Sequence, residues 1–168
     1  MRQVVLRGHQ RILAVDPGGT TGWVLFEPSA EVEDWGGYGI NVIEWGEEPD
    51  PDAVGDLVWR WKTARLKYER LTAIVCERFV PRPGVRTWEP EPVEIAGNLR
   101  WLIGKERFFL QQPSDAKAFG TGTKIHKYTR GWDLPFNVGR GGAGHAHDAL
   151  RHALLFTNVR WSPEEAAA

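Results

Sequence analysis

Short apolar runs and longer helical repeats divide the chain into predicted strands and helices. Residues 11–16 (RILAVD) form an apolar run that ends in an aspartate and a Pro-Gly-Gly turn, which is typical of a buried strand. Residues 21–27 (TGWVLFE) restart with β-branched and aromatic residues, so these two segments are predicted to form a hairpin. Residues 35–45 (WGGYGINVIEW) are predicted to contain a third strand. We therefore expect the chain to open with an antiparallel meander.

Helical periodicity begins after this meander. Residues 53–71 carry apolar positions at intervals of three and four with basic residues between them, which predicts an amphipathic helix. Residues 71–77 (LTAIVCE) repeat the first pattern, an apolar strand that ends in a carboxylate. Residues 93–106 predict a second helix, and residues 107–113 (RFFLQQP) predict a strand closed by proline.

The remaining segments complete a layered α/β pattern. Residues 114–119 are typical of a short helix, residues 121–144 of a glycine-rich basic connector, and residues 145–156 of a helix with a buried stripe. The order β-β-β-α-β-α-β-α favours an α/β or α+β fold, a five-stranded mixed sheet flanked by helices. The strands that follow helices are expected to run parallel to the first strand.

Composition sets the class of protein. The 168 residues suit a single domain spanning 1–168, and the net charge of −1 argues against indiscriminate nucleic-acid binding. No long apolar run or basic-then-apolar leader is present, so neither a membrane span nor a secretion signal is expected. One cysteine, Cys76, fits a reducing cytoplasm and is interpreted as a buried hydrophobe.

Charge is distributed unevenly along the chain. Residues 27–56 contain ten acidic residues and no Lys or Arg, whereas residues 100–140 contain eight basic residues. A local basic field can steer a polyanion even when the whole molecule is nearly neutral. Two solvated faces of opposite sign explain the same pattern without any partner.

Four residues stand where they can share a ligand. Asp16 and Glu77 each end a predicted strand, and parallel neighbours would bring both carboxylates to one edge of the sheet, where open α/β sheets bind ligands. His145 and Asp148 lie three residues apart on the last helix and so point the same way, and His152 can extend that face.

A divalent cation would reconcile these groups. Carboxylates and imidazoles that converge on one spot repel one another or lose hydration unless a cation lies among them. Oxygen ligands with few nitrogens suit Mg²⁺ or Mn²⁺ better than Zn²⁺. Two such ions close together are a common catalytic arrangement for cleaving phosphodiesters. In this arrangement Asp16 would bridge both ions, Glu77 would bind one, and His145 and Asp148 would bind the other.

Each of these residues also has an ordinary explanation. An aspartate before Pro-Gly-Gly is commonly a turn former, and Glu77 can pair with Arg78 or Arg82. Asp148 can serve only to favour a helix N-terminus. The joint order of strand aspartate, strand glutamate and a helix carrying H-x-x-D is what favours a site.

The segments ILAVDPGGTTGW, AIVCERF, DAK with TGTK, and GHAHDALRHALLF carry a resemblance. The sequence resembles the RuvC-type Holliday junction resolvases of the ribonuclease H-like superfamily, in particular the compact phage-encoded forms, over residues 11–156. The resemblance implies a ribonuclease H-like fold. It also implies a metal site at Asp16, Glu77, His145 and Asp148, two Mg²⁺ ions that Mn²⁺ can replace, and products with a 5′-phosphate and a 3′-hydroxyl.

The resemblance also implies partners. A homodimer would nick opposed strands of a four-way DNA junction, with the helix at 53–71 or that at 92–105 as interface. In a phage-encoded protein the location would be the host cytoplasm. Residues expected at the DNA are basic or aromatic: Lys117, Lys124, Lys127, Arg130, Arg140, Arg82 and Phe79.

Other functions share some of these features. DPGGTTG also resembles the first phosphate loop of sugar kinase and actin-like ATPases, but those proteins close two such domains on the nucleotide. A ribonuclease H-like nuclease acting on flaps, forks or RNA–DNA hybrids is the nearer alternative. An inert DNA-binding module is a third, although such a module has no physical need to gather like charges.

Overall fold

A computed structural model gives the fold of most of the chain. It describes residues 10–34, 36–66, 70–80, 90–119, 125, 129–131 and 144–161. No helix in this part of the chain is long and apolar enough to cross a membrane.

The chain opens with the expected antiparallel meander. Strands β1 (Arg11–Asp16), β2 (Thr21–Val32) and β3 (Tyr38–Glu48) pair in sequence order. Asp16 lies opposite Gly22, so the turn between β1 and β2 occupies only residues 17–20. The hairpin predicted from Pro-Gly-Gly is confirmed, and it places the end of β1 beside the start of β2.

Two parallel strands extend the sheet on the other side of β1. Strand β4 (Leu71–Glu77) pairs with β1, and β5 (Phe108–Gln111) pairs with β4, both in parallel as predicted. Helix α1 (Pro51–Lys62) precedes β4, and helix α2 (Glu91–Ile103) precedes β5. Parallel neighbours need crossover connections of this kind, because their starts lie at opposite ends of the sheet from the preceding strand ends.

The sheet has six strands in the described residues, not the five predicted, in the order β5-β4-β1-β2-β3-β6. The additional strand, β6 (Thr129–Arg130), pairs in parallel with β3 and lies within the segment predicted to be a connector. A two-residue strand has no periodicity to detect, and its pairing depends on β3 being nearby.

Helix α1 is shorter than predicted and ends at Lys62 rather than at residue 71. The backbone N–H and the hydroxyl of Thr63 both donate to the carbonyl of Trp59, at 3.0 and 2.8 Å, which closes the last turn. Arg70 Nε then donates to the carbonyl of Ala64 at 2.9 Å. These local bonds turn the chain towards β4, against the helical periodicity of the segment.

Helices cover both faces of the sheet. Short helix α3 (Pro113–Phe119) follows β5, and helix α4 (Gly144–Arg160) packs across β1, β2 and β3. The core beneath α4 includes fully buried Phe26 and Phe156. Helices α1 and α2 pack on the opposite face over a second core, which includes Cys76. The fold is thus a mixed sheet flanked by helices, as predicted.

Cys76 behaves as the sequence indicates. It is fully buried, and burial with the nearby carboxylates of Asp16 and Glu77 raises the pKa of its thiol. A thiol held in its neutral form is a poor nucleophile. Cys76 therefore belongs to the core.

Candidate active site

The ends of three neighbouring parallel strands form a row at one edge of the sheet. Val15 pairs with Cys76, so the next residues, Asp16 and Glu77, end the neighbouring parallel strands β1 and β4. Glu77 pairs in turn with Gln111 at the end of β5. Since adjacent strands lie about 4.8 Å apart, the two carboxylates emerge side by side. The alternation along each strand turns both side chains towards α4.

Helix α4 begins directly above this row. His145 Nδ1 lies 2.8 Å from Asp16 Oδ2, within hydrogen-bond distance. The close approach depends on Gly22, where a Cβ would lie 2.0 Å from the carbonyl carbon of His145. Any larger residue at position 22 would push the start of α4 away from Asp16.

Glu47 of β3 fixes the start of α4. Glu47 pairs with Gly22, and its Oε1 accepts from the backbone N–H groups of His145 at 2.9 Å and Ala146 at 3.1 Å. The first N–H groups of a helix have no partner within the helix, and a negative charge there is favourable. A carboxylate from a distant strand therefore caps α4.

His152, two turns along α4 from His145, contacts Glu77. Its Nε2 lies 2.8 Å from Glu77 Oε2, and its ring is fully buried. The sequence placed His152 on the same helix face as Asp148. In the structure it lies beneath the carboxylate row.

Asp148 pairs with Arg151 on the same helix. Both side chains are 28% exposed, so the pair lies at the margin of the site. Arg151 balances the charge of Asp148.

Burial and crowding make Asp16 an unusual carboxylate. Burial is the main cause that raises the pKa of Asp16 to about 6, and the nearby charge of Glu77 adds to it. The hydrogen bond and charge of His145 lower the pKa in part, while Asp148 raises it. The other three residues predicted for the site, Glu77, His145 and Asp148, therefore all act on Asp16.

The chemistry of these groups fits a hard divalent cation. Within the described ranges, no three His, Cys, Asp or Glu side chains are grouped as metal ligands. Three carboxylates and one imidazole are nonetheless suitable donors for Mg²⁺ or Mn²⁺. The raised pKa of Asp16 reflects burial first and repulsion from Glu77 second, and a cation would relieve that repulsion.

Three of the seven residues predicted to contact DNA lie within the part of the chain that the structure describes. Lys124, Lys127, Arg140 and Arg82 lie outside the described residues. Lys117 is exposed on α3, which follows β5 at the same edge of the sheet as Asp16.

Phe79 and Arg130 lie at different distances from the carboxylate row. Phe79 is half-buried two residues after Glu77. Arg130 is exposed on β6, opposite Asn41 of β3, and its guanidinium bonds Glu31 at 2.7 Å. Asn41 is six residues from Glu47, a separation on the order of 20 Å along a strand. Arg130 therefore lies far from Asp16.

Sequence reasoning missed two residues that support the site, Glu47 and Gln111. Gln111 ends an apolar strand as Asp16 and Glu77 do, so the strand-end pattern was a usable signal. Glu47 had no such signal, because it is one of many acids in residues 27–56. Its role depends on the pairing of β2 with β3.

The mixed sheet with helices on both faces is a ribonuclease H-like fold. The chain is similar to Thermus thermophilus RuvC, with a TM-score of 0.54, 16% identity, and coverage of 86% of this chain and 91% of that chain. It is also similar to T. thermophilus RuvC in complex with Holliday junction substrate, with a TM-score of 0.51, 10% identity, and coverage of 88% and 92%.

A third similar structure is the yeast mitochondrial Holliday junction resolvase Ydc2, with a TM-score of 0.47, 15% identity, and coverage of 92% of this chain and 79% of that chain. Neither a scan against protein families nor a search of curated proteins finds a match. At 16% and 10% identity, the likeness to the two RuvC structures shows the fold alone.

Proposed function

We propose that this protein is a divalent-metal-dependent DNA endonuclease that resolves four-way junctions by paired nicks. The observation that carries the proposal is the convergence of Glu77, His145 and Asp148 on Asp16, whose pKa they and burial perturb. Strongly perturbed carboxylates beside a sheet edge are typical of functional sites. The ribonuclease H-like fold supports a nuclease, and one similar structure is described with a Holliday junction substrate.

The proposed cofactor is Mg²⁺, two ions per site, with Mn²⁺ as a substitute. Asp16, Glu77, His145 and Asp148 would hold the ions. When bound, such ions activate a water and stabilise the leaving oxygen of phosphodiester hydrolysis.

The protein's own groups prepare Asp16 for this role. The hydrogen bond from His145 opposes the rise in the pKa of Asp16, so it favours the ionised form that a cation requires. Glu47 holds His145 at that position by capping α4. The short turn after Asp16 leaves little bulk beside the site, and at Gly18 an added Cβ would approach His145 Cε1 to 3.6 Å.

Basic residues would hold the DNA backbone. Lys117, Lys124, Lys127, Arg130 and Arg140 are proposed to contact phosphates, which supplies affinity and salt dependence without sequence choice. Arg82 and Phe79, just beyond β4, are proposed to face the junction.

Paired nicks require two sites, and we propose a homodimer formed through α1 and α2. A groove of about 360 Å³ lies between these helices, on the face of the sheet opposite α4. Trp59 and Trp101 line it and are 57% and 83% exposed. Two large aromatic side chains exposed together are unusual on a free surface and common at interfaces.

The experiment that tests the function is strand cleavage in Mg²⁺ and in Mn²⁺. Substrates are a synthetic four-way junction, a flap, a fork, a linear duplex and an RNA–DNA hybrid. We expect paired nicks on the junction alone. Asp16→Asn should bind the junction without cutting it, whereas Glu106→Gln, which removes an exposed carboxylate before β5, should cut at the wild-type rate.

The other outcomes identify the alternatives. Cleavage of the hybrid, flap or fork instead of the junction would keep the metal site and overturn the junction as substrate. Wild-type cleavage by Asp16→Asn would overturn the site. Binding without cleavage of any substrate would indicate an inert DNA-binding module.

A further inference from the structure

His152 is a fully buried polar residue on a face of α4 whose other residues pack in the hydrophobic core. Its neighbours along that face, Ala149, Ala153 and Phe156, are all fully buried hydrophobic residues. Burying an imidazole without partners is costly, because both ring nitrogens lose their hydrogen bonds to water. The ring of His152 avoids this cost through two partners on neighbouring strands.

Gln111 of β5 is the first of these partners. Its amide nitrogen donates to His152 Nδ1 at 2.8 Å and to the His152 carbonyl at 3.1 Å, and its oxygen accepts from the Phe156 N–H at 3.2 Å. We assign this orientation because the opposite one would direct the oxygen at acceptors and the nitrogen at donors. Gln111 is therefore held by the α4 backbone.

This assignment determines the state of the ring. Since Nδ1 accepts a hydrogen bond from Gln111, the proton of a neutral imidazole lies on Nε2. Nε2 is 2.8 Å from Glu77 Oε2, so His152 donates to that oxygen. The hydrogen bonds thus run in one direction, from Gln111 to His152 and from His152 to Glu77, and each joins one donor to one acceptor.

Such a chain of hydrogen bonds restricts the Glu77 carboxylate. A glutamate at a strand end has three rotatable side-chain bonds, and its side chain here is 19% exposed. The bond to a rigid, buried ring holds Oε2. Hydrogen bonds of this kind orient metal-ligating groups and are needed for tight metal binding.

We propose that His152 and Gln111 are positioning residues that hold the Glu77 carboxylate in the orientation that receives the divalent cation. This inference rests on the proposed function, because it takes Glu77 to be a ligand of the divalent cation. His152 does not touch the cation or the DNA. It acts through Glu77, and Gln111 acts through His152.

The test is the affinity of the purified, metal-free protein for Mn²⁺, measured without DNA by isothermal titration and by electron paramagnetic resonance. His152→Leu fills the core but cannot donate to Glu77, whereas His152→Gln retains an N–H donor at nearly the position of Nε2. We expect His152→Leu and Glu77→Gln to bind Mn²⁺ about 10–100-fold more weakly than wild type. His152→Gln should keep an affinity for Mn²⁺ within about threefold of wild type, because it retains the donor.

His147→Gln is the matched control, because His147 is a buried histidine on the same helix, 8% exposed. It should bind Mn²⁺ as wild type does. Thermal denaturation of each variant confirms that the comparison is between folded proteins. If His152→Leu does not fold, Gln111→Leu takes its place, with a smaller loss of affinity expected in the same direction.

Three results would overturn the inference, and they are distinguishable. Weak binding by Glu77→Gln with wild-type binding by His152→Leu, or by Gln111→Leu where that replaces it, would keep the metal site and remove the positioning role. Equal loss in His152→Leu and His152→Gln would reduce His152 to a packing residue. Wild-type binding by Glu77→Gln would overturn the metal site of the proposed function, and the inference with it.

Discussion

Glu47 and His145, almost a hundred residues apart in sequence, are joined by a hydrogen bond of 2.9 Å from the His145 backbone N–H to Glu47 Oε1. The same His145 bonds Asp16 through its ring. The cap of a helix and the hydrogen bond to a buried carboxylate therefore meet at one residue, so the stability of α4 and the geometry of the site are coupled.

Removing this cap should destabilise the protein. Glu47→Ala leaves two N–H groups of α4 without their acceptor and is expected to lower the free energy of unfolding by about 1–2 kcal/mol. Glu47→Gln keeps a carbonyl oxygen and should cost less than half as much. Urea denaturation measures both. Glu48→Ala, one residue on and facing the other side of β3, should change stability by less than about 0.5 kcal/mol.

Gly22 should tolerate no side chain. Gly22→Ala would place a Cβ 2.0 Å from the His145 carbonyl carbon and 2.3 Å from the Ala146 nitrogen, so α4 must move. We expect a loss of about 3 kcal/mol or more in unfolding free energy, with loss of cleavage. Gly97→Ala is the control, since a Cβ at Gly97 meets nothing within 4 Å. Its helical position predicts a gain of about 0.5–1 kcal/mol, and equal stabilities of the two variants would contradict the close packing of α4 on Gly22.

The ionised Asp16 side chain should lower the free energy of unfolding at neutral pH when a chelator removes divalent cations. Its pKa is about 6 in the folded protein against 3.8 ordinarily, so the folded state holds the proton more tightly than the unfolded chain. The contribution of Asp16 to the free energy of unfolding therefore falls as the pH rises from about 4 through 6, and it is constant above that.

Asp16→Asn removes this effect because the amide does not ionise. At pH 7 we expect the variant to be more stable than wild type by about 1–3 kcal/mol, and the difference should vanish near pH 4. Denaturant unfolding with EDTA at several pH values measures it. A variant less stable than wild type at pH 8 would mean that the bond between Asp16 and His145 outweighs the cost of burying the charge.

Trp101 should control the oligomeric state. Trp101→Glu places a charge in the groove between α1 and α2 and is expected to weaken self-association at least tenfold, as measured by sedimentation equilibrium. Val32→Glu introduces the same charge at an apolar position 64% exposed at the end of β2, and it should leave association unchanged. A wild-type protein that is monomeric at all concentrations would overturn this interface.

The four residues proposed to bind the cation were predictable because each carries a local signal. Asp16 and Glu77 interrupt apolar runs where strands end, and His145 and Asp148 have the three-residue spacing of a helix face. The same signals predicted the meander, the parallel pair β1–β4 and the helices on the sheet. Local periodicity says where an element ends, and chain order limits which strands are neighbours.

The sixth strand and the end of α1 were not predictable in this way. Strand β6 exists through its pairing with β3, and α1 stops because Thr63 and Arg70 make bonds that its periodicity does not reveal. In both cases a contact between segments, or a side-chain bond to the backbone, overrode the local pattern.

The fold class and the residue types at the end of each strand follow from the sequence, because both depend on patterns within a few residues of each other. Three relationships arise from tertiary packing: Glu47 caps α4, Gly22 allows the start of α4 to approach β2, and Gln111 and His152 contact Glu77 in sequence. These relationships depend on strand register and on how far a helix lies from the sheet. Register and distance are set by packing over the whole chain, so no local pattern contains them.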